Sequence, residues 1–412
     1  MSNPKHILYI SYDGMTDPLG QSQVLPYLIG LTRFGYRFTI LSFEKAERYS
    51  DNKALIESIC QKHSIDWQPL MYTKKPPILS TLWDVFRMKK KIMQIHQQNP
   101  IYMTHCRSHI SAMGGRMLQQ KKGVPFLFDM RGFYADERVD GGLWNLKNPI
   151  FKSVYTFFKN KEKEFLKSSF CSISLTYAGA DIMRSWKGFE NTNIQVIPCC
   201  ADLEHFNSSN VKPSETDHWG KKLVISKEHF VVSYLGSLGT WYMADEMFAF
   251  FKRLQNSYPN ALFLFITPDS PEIIKTYAQK HGISSEFIRV TKASRAEVPV
   301  IAKLSSASLF FIKPVYSKKS SSPVKMGELL ALGIPIIANR GVGDVDMIIE
   351  DTNCGVLVDE FNNESYDKAI SQIEELIAKP EKTFTDAAEK YYSLEKGIEL
   401  YRNVYTLVSD EW

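Results

Sequence analysis

The sequence predicts an α/β protein built from two Rossmann-like domains in series. Its 412 residues are too many for one compact core, so two domains of about 150 to 200 residues are expected. Strand-like apolar runs alternate with helical patterns through both halves of the chain, which is typical of parallel sheets covered by helices. A polar, turn-rich stretch at residues 204–222 separates the two series and is predicted to be a linker.

The first series assigns residues 1–203 to one domain. Its predicted elements are strands at 6–11, 38–42, 101–105 and 126–129, with a helix at 21–32 between the first two strands. The second series assigns residues 223–390 to another domain. Its predicted strands are 230–235, 262–266, 307–312 and 334–338. Strands that alternate with helices in this way predict parallel sheets, whose ligands lie at the carboxyl ends of the strands.

Composition excludes several classes of protein. The 44% hydrophobic content excludes disorder for most of the chain, and no apolar run approaches the roughly 18 to 20 residues that span a bilayer. The start of the chain lacks a signal-peptide core, so a cytoplasmic protein is expected. Six cysteines without a CxxC pair indicate reduced, partly buried thiols rather than a zinc site or a disulfide framework.

Charge is distributed unevenly along the chain. Residues 1–200 contain 27 lysine and arginine residues against 16 acidic ones, whereas residues 201–412 contain 23 against 29. Two predicted helices, 82–96 and 148–167, are both basic and apolar. This pattern favours a peripheral position at the inner face of the cytoplasmic membrane, on an anionic lipid surface. The open alternative for each helix is a core-facing apolar stripe with a solvated lysine face. No basic-aromatic recognition module indicates a nucleic-acid partner.

Residues 321–338 combine a helix start with anion-binding chemistry. Two serines precede Pro323 at a predicted first helical position, and Gly333 ends the predicted helix before a strand. A helix start presents free N–H groups and a positive dipole end to a phosphate. Lys325 adds a positive charge there, and Glu328 is suited to accept hydrogen bonds from sugar hydroxyls. The segment predicts a nucleotide cradle, with an ordinary capped helix as the alternative.

Glycine-containing loops follow the first strand of each predicted domain. Gly14 and Gly20 lie in the first loop, and Gly236 opens the second, where small residues let backbone approach a ligand closely. The spacing in the first loop is not GxGxxG, and no acidic residue ends the second strand where a dinucleotide site needs one. A nicotinamide-dependent dehydrogenase is therefore set aside. A nucleoside diphosphate fits the two loops and the serine-rich helix start better than a metal-bound ligand.

These motifs resemble the retaining glycosyltransferases of family 4. The similarity covers nearly the whole chain, and its strongest pieces are residues 323–335 and 129–138. Gly236 and the turn at 197–202 also match, and residues 13–23 are similar to the acceptor-side glycine loop of a branch that builds polysaccharide and lipopolysaccharide. The resemblance implies the GT-B fold, with two Rossmann-like domains facing each other across a cleft. In that fold a C-terminal helix, here 391–412, crosses back to the first domain.

The resemblance also assigns site residues, with three departures at the donor. Glu328 corresponds to the second carboxylate of the family's E-x7-E motif, which binds the donor ribose. The first glutamate falls on Ser320, the arginine after the second-domain glycine on Ser237, and the usual phosphate lysine near Tyr242. The histidine that ends a first-domain strand is replaced by Arg131, which cannot act as a base. A weaker cationic phosphate site is expected unless other cations compensate.

The implied roles are as follows. Donor-binding residues are Gly20, Gly236, Ser237, Thr240, Lys292, Ser320, Ser321, Ser322, Lys325 and Glu328. Acceptor-binding residues are Asp13, Gly14, Gln21, Asp129, Arg131, Asp136 and Glu137, and the catalytic residues are Arg131, Lys325 and Glu328. An alternative to acceptor binding remains open for the acids of residues 129–138. Asp129, Asp136 and Glu137 would then be structural ion-pair partners of Arg131 and Arg138. Lys325, Lys292 or Arg131 would compensate for the missing phosphate ligands.

The implied reaction moves a sugar from a nucleotide-sugar to a glycan or lipid-linked glycan, with retained anomeric configuration, in cell-surface polysaccharide biosynthesis. Neither a metal nor another cofactor is expected. His105 and His109, with Cys106 between them, lack a third ligand for a metal. Two alternatives remain open: a sugar-nucleotide 2-epimerase of GT-B type, and a non-catalytic nucleotide-sugar-binding subunit.

Overall fold

The computed structural model describes residues 4–408 as two compact units. The first unit runs to Pro198 and resumes at Leu394, and the second comprises Cys199–Ser393. Each unit is one parallel sheet with helices packed on it. The two-sheet α/β fold class predicted from the sequence is therefore confirmed.

The first unit holds a seven-stranded sheet. Its strands are β1 (Lys5–Ser11), β2 (Tyr36–Glu44), β3 (Asp66–Met71), β4 (Met103–Arg107), β5 (Phe126–Asp129), β6 (Cys171–Ser174) and β7 (Ile194–Val196). Its helices are α1 (Pro18–Gln23), α2 (Leu25–Thr32), α3 (Ala46–Lys62), α4 (Leu79–Gln98), α5 (Ser108–Lys122), α6 (Tyr134–Asp140), α7 (Pro149–Ser168) and α8 (Tyr177–Arg184). The strand order is β3-β2-β1-β4-β5-β6-β7, all parallel. The central strands β4 and β5 are buried at every residue because helices cover them.

The second unit holds a six-stranded sheet. Its helices are α9 (Pro213–Leu223), α10 (Ala244–Leu254), α11 (Pro271–Lys280), α12 (Val298–Ala302), α13 (Val324–Ala331), α14 (Val345–Thr352), α15 (Asn363–Ser371), α16 (Ile373–Ile377) and α17 (Glu381–Tyr392). Its strands are β8 (Phe230–Leu235), β9 (Ala261–Ile266), β10 (Ile288–Thr291), β11 (Ala307–Phe310), β12 (Ile336–Asn339) and β13 (Gly355–Val358). The parallel order β10-β9-β8-β11-β12-β13 places β8 and β11 side by side at the centre. The apolar runs of β8 and β9 are buried throughout, as expected for central strands.

The last helix, α18 (Leu394–Tyr405), belongs to the first unit, in line with the expected return of the chain. It packs on α2, where Gly30 leaves room for Ile398, and Tyr401 meets Tyr27 edge-to-face at 5.4 Å between ring centroids. Residues 409–412 of the predicted C-terminal helix lie outside the described residues.

Two details differ from the sequence prediction. The predicted linker 204–222 lies within the second unit, because α9 packs on α12 and buries Trp219 in the core. The predicted helix 21–32 is broken at Val24 into α1 and α2. Pro26 explains the break, since its ring removes a backbone donor and clashes with the preceding turn. Across residues 4–408, no helix combines the length and apolarity needed to cross a bilayer.

Candidate functional site

The second unit's site lies where β8 ends and α13 begins. Gly236 follows β8 with φ +105°, a conformation that favours glycine. Its N–H donates to the carbonyl of Ile266, so the turn is held to the end of β9. A Cβ at residue 236 would lie 3.3 Å from Lys325 Nζ. The Gly236 turn therefore faces the ammonium group of the first turn of α13.

Helix α13 is fixed by packing rather than by a side-chain cap. It begins at Val324, one position later than the sequence predicted, with Pro323 as the N-cap residue, and no side chain caps its first amides. Gly327 lies against the Tyr392 ring of α17, where a Cβ would collide with the ring. Gly333 ends the helix with φ +73°, and Ile334 N–H closes the turn on the carbonyl of Leu329. The helix start is therefore held in place, and no side chain among residues 4–408 blocks the positive end of its dipole from an anion.

Lys325 places a cation in the first turn of α13. Its Nζ is shielded from solvent and has no hydrogen-bond partner among residues 4–408. The ammonium lies 4.3 Å from the ring centroid of Tyr234 and 3.8 Å from that of Tyr242. Burial lowers the pKa of Lys325 to about 7, against a weaker opposing effect of Glu328. A desolvated ammonium without a hydrogen-bond acceptor is a group that an anionic ligand would stabilise.

Glu328 lies one turn further along α13, and its side chain is 14% exposed. Burial raises the pKa of Glu328, Arg295 and Lys325 oppose that shift, and Asp202 adds to it. The Arg295 Nη1 lies 3.7 Å from Glu328 Oε1, beyond hydrogen-bond distance. The carboxylate therefore keeps acceptor capacity for sugar hydroxyls.

The other predicted donor residues of this unit divide into two groups. The hydroxyls of Ser237 and Ser320 donate within the protein, to Asp269 at 2.7 Å and to the Ser317 carbonyl at 3.0 Å. Ser322 Oγ accepts from the Cys199 N–H at 3.2 Å, and Ser321 N–H donates to the Lys318 carbonyl. The second group, Thr240 and Lys292, is exposed to solvent in loops after β8 and β10. The serines thus shape the backbone beside the site.

In the first unit, the predicted acceptor loop is held by one buried acid. Glu44, at the end of β2, accepts hydrogen bonds from Met15 N–H, from the N–H and hydroxyl of Thr16, and from Ser42. A Cβ at Gly14 would collide with Glu44. The loop is therefore preorganised around a carboxylate that sequence reasoning missed, although a glutamate ending an apolar strand was the available signal.

Gly20 and Gln21 take structural positions in the same loop. A Cβ at Gly20 would collide with the Gly14 carbonyl, so Gly20 permits a close approach between α1 and the loop backbone. Gln21 Nε2 donates to the Thr16 carbonyl at 3.2 Å. Gly20 was predicted to bind donor, and its contacts here are with the acceptor loop of its own unit.

Asp129 and Arg131 follow β5, beside residues that end β4. Asp129 is buried and accepts from His105 Nε2 and from the Tyr401 hydroxyl, both at 3.3 Å, with Arg131 Nη1 at 3.8 Å. Burial alone would raise the pKa of Asp129, but Arg131 and the His105 hydrogen bond hold it below its usual range. Burial lowers the pKa of His105, which favours the neutral imidazole. Arg131 has φ +59°, an uncommon conformation outside glycine.

Asp13 is half exposed and near a second arginine that sequence reasoning missed. Arg107, at the end of β4, is buried, and its Nε lies 3.3 Å from Asp13 Oδ2. An arginine ending an otherwise buried strand was the signal for it. The structure thus brings Asp13, Arg107, Asp129 and Arg131 to the carboxyl edge of the first sheet.

Asp136 is engaged in a buried network rather than pointing free. Its oxygens accept from the Tyr155 hydroxyl and from Lys159 Nζ, both at 2.8 Å, and Lys159 also pairs with Glu162. Glu162 in turn meets His109 Nε2 at 3.1 Å. These contacts join α6 to α7, so Asp136 has the structural role that the sequence left open, with Lys159 as its partner instead of an arginine. Glu137 is partly exposed on the same helix.

Metal-binding chemistry has no assembled ligand set in the described part of the chain. Within residues 4–408, no group of three or more histidine, cysteine or acidic residues is arranged to hold a metal ion. All six cysteines are buried free thiols, as the sequence indicated.

A match to a known protein family falls in the second unit. Residues 215–391 match the sequence profile of the family described as "Glycosyl transferases group 1". The second unit is therefore similar to the domain of that family. No curated protein is significantly similar in sequence to the whole chain.

Solved structures of similar fold align over nearly the whole chain. Sucrose-phosphate synthase from Thermosynechococcus elongatus has 14% identity and a TM-score of 0.71, covering 98% of this chain and 100% of its own. HepE of Anabaena, solved with UDP and glucose, has 12% identity and a TM-score of 0.69, covering 98% and 99%. WaaG, a glycosyltransferase involved in lipopolysaccharide biosynthesis, has 15% identity and a TM-score of 0.63, covering 96% and 99%. These likenesses confirm the GT-B fold class.

Proposed function

We propose that this protein is a retaining, metal-independent glycosyltransferase that moves a sugar from a nucleoside-diphosphate sugar to a glycan or lipid-linked glycan acceptor. The match of residues 215–391 to the group 1 glycosyl transferases supports the general reaction class. The observation that carries the donor assignment is Lys325, whose buried Nζ has no hydrogen-bond partner in residues 4–408 and faces the Gly236 turn. Glu328, one turn away, would accept hydrogen bonds from the ribose hydroxyls, and its distance of 3.7 Å from Arg295 supports this role.

Lys325 takes over the role of the cations that the family pattern would place at Ser237 and Tyr242. Its Nζ lies over the Tyr242 ring, so a positive charge occupies the neighbourhood of the missing lysine. The diphosphate would receive the Lys325 ammonium and the open amides at the start of α13. Both groups supply charge stabilisation without a divalent ion.

The donor and the acceptor together supply all atoms and electrons of the proposed reaction. The bond between the anomeric carbon and the diphosphate oxygen breaks, and its electron pair goes to the diphosphate, where Lys325 and the α13 amides stabilise the charge. The acceptor hydroxyl attacks the same face and gives its proton to the departing phosphate oxygen, so the anomeric configuration is retained. Arg131 would stabilise negative charge on an acceptor phosphate or on the leaving group, since a guanidinium does not act as a base.

The acceptor belongs, on this proposal, to cell-surface polysaccharide assembly of the lipopolysaccharide type, at the cytoplasmic face of a membrane. The positive charge of residues 1–200 supports an anionic acceptor or an anionic lipid surface near the first unit. Asp13 is the predicted acceptor carboxylate that remains half exposed, so it is the first candidate to bind an acceptor hydroxyl.

The test is thermal stabilisation by a panel of nucleoside diphosphates and sugar nucleotides, with and without EDTA. The proposal expects stabilisation by one nucleotide family that EDTA leaves unchanged, followed by transfer of the matching sugar. Nuclear magnetic resonance of the product then reports the anomeric configuration. Release of a 2-epimer instead of transfer would identify an epimerase, and nucleotide binding without transfer or hydrolysis would identify a binding subunit.

A further inference from the structure

Helix α4 exposes a row of large apolar side chains on one face. The exposed fractions are 63% for Leu79, 59% for Leu82, 54% for Trp83 and 58% for Phe86. Their spacing of three, four and seven residues places them on a single side of the helix. The Trp83 and Phe86 rings stack with centroids 5.7 Å apart. These four residues are called the α4 apolar face.

The opposite side of α4 packs into the core of the first unit. Val85, Met88, Ile92 and Ile95 are buried there, and α4 packs on α5. The α4 apolar face is therefore not needed to pack α4 against the first unit. A row of exposed aromatic and leucine side chains is unfavourable in water and marks a docking surface.

Positive charge surrounds the α4 apolar face. Residues 71–98 contain six lysine and arginine residues and one acid, Asp84. Asp84 is buried and accepts from Tyr12, Thr73 and Arg87, so it presents no charge to an approaching surface. Lys74, Lys75 and Lys90 are exposed. The pKa of Lys89 is lowered by burial and then by the nearby charges of Lys161 and Lys121, which shows that α7 and α5 add cations to this side of the unit.

Helix α7, the other basic and apolar helix, is arranged differently. Two of its five lysines pair with acids of the same helix, Lys159 with Glu162 and Lys161 with Glu164. Of its apolar residues, Ile150 and Phe157 are exposed, whereas Phe158, Phe165 and Leu166 are buried. The larger number of exposed apolar side chains therefore favours α4 over α7 as a docking element.

We propose that the α4 apolar face inserts into the headgroup region of an anionic bilayer, with Trp83 and Phe86 as the anchors and the flanking lysines bound to lipid phosphates. Tryptophan and leucine beside lysines form the side-chain set that amphipathic helices use at a membrane interface. The inference rests on the proposed membrane association and is independent of the transfer reaction. It holds whether or not a nucleotide binds to the second unit.

The test is sedimentation of the full chain with vesicles of phosphatidylcholine, with or without phosphatidylglycerol. Binding is expected only with phosphatidylglycerol and is expected to weaken as salt is raised. The double variant Trp83→Ser/Phe86→Ser is expected to reduce the partition coefficient by about tenfold or more. The matched control Leu55→Ser/Leu400→Ser removes exposed leucines of α3 and α18 and is expected to bind as the wild type does.

A second readout follows Trp83 directly. The emission of Trp83 is obtained by subtracting the fluorescence spectrum of Trp83→Phe from that of the wild type. Its maximum is expected to shift to shorter wavelength when phosphatidylglycerol vesicles are added. The proposal is overturned if the wild type does not bind these vesicles, or if the double variant binds equally well. It is also overturned if Phe157→Ser alone abolishes binding, or if sedimentation equilibrium finds a dimer that the double variant dissociates. Vesicle binding without any nucleotide binding would leave this inference standing and contradict the proposed function.

Discussion

The charged residues at the carboxyl edges of the two sheets differ in the number of hydrogen-bond partners that the protein gives them. In the first unit, Asp129 is engaged with His105, Tyr401 and Arg131, and Glu44 accepts four hydrogen bonds. In the second unit, Lys325 has no hydrogen-bond partner among the described residues. Buried acids that accept several hydrogen bonds or pair with a cation stabilise a fold, whereas a buried cation without an acceptor destabilises it until a ligand arrives.

This difference assigns the two regions different purposes. In the first unit, the buried charged residues hold loops and helices in place, and Asp13 is half exposed to solvent. In the second unit, one turn of α13 holds the Lys325 ammonium and the Glu328 carboxylate, which we propose bind the nucleotide. Substitutions in the two regions should therefore separate into losses of stability and losses of nucleotide affinity.

The largest expected effect is on stability, from Asp129→Ala. Removing the carboxylate leaves Arg131, His105 and Tyr401 without their shared acceptor, so the free energy of unfolding should fall by about 3 kcal/mol. Urea denaturation measures this change. Asp129→Asn keeps part of the hydrogen bonding and is expected to lose less. An unchanged unfolding free energy in Asp129→Ala would show that the contacts of Asp129 do not stabilise the fold.

The next effect is on nucleotide affinity, from Gly236→Ala. The new side chain would meet Lys325 and would force an alanine into φ +105°, so binding of the nucleoside diphosphate should weaken by about 2 kcal/mol or more. Titration calorimetry measures it. Gly239→Ala is the matched control, because Gly239 also has a positive φ of +48° but a Cβ there would meet no atom within 4 Å. Equal losses in both variants would mean that backbone strain alone is responsible.

These two regions also differ in how well the sequence predicted them. The strands β5 and β8 match their predicted bounds, because short apolar runs bounded by turn residues are a strong local signal. Pairing Lys325 with the Gly236 turn needs the neighbouring positions of β8 and β11, which no local pattern encodes. Glu44 and Arg107 were missed for the same reason, since their partners lie 28 and 94 residues away in sequence.

A smaller effect on affinity is expected from Glu328→Ala. Loss of charged hydrogen bonds to the ribose should weaken nucleotide binding by about 1.5 kcal/mol. Glu328→Gln, which keeps the shape and one acceptor, should recover part of that loss. If deoxyribose nucleotides lose affinity for the wild type and the alanine variant to the same extent, Glu328 does not read the ribose.

The smallest expected effect is the dependence of nucleotide affinity on pH. A bound diphosphate raises the pKa of Lys325 above its free value of about 7, so the complex holds a proton that the free protein releases. Affinity from this group is therefore fully present below pH 7 and declines as pH rises above it, by at most about tenfold per pH unit. The terminal phosphate's own ionisation acts in the opposite direction, and a Lys325→Met titration isolates it.

The most direct measurement compares Lys325→Met with the wild type, in unfolding free energy and in calorimetric affinity for the nucleoside diphosphate that stabilises the wild type. Methionine fills a similar volume without a charge, so stability should be equal or higher. Affinity should fall by about 3 kcal/mol, through loss of a charged hydrogen bond in a desolvated site. A variant that is markedly less stable and yet binds the diphosphate as tightly as the wild type would contradict the account of Lys325 as the donor's phosphate partner.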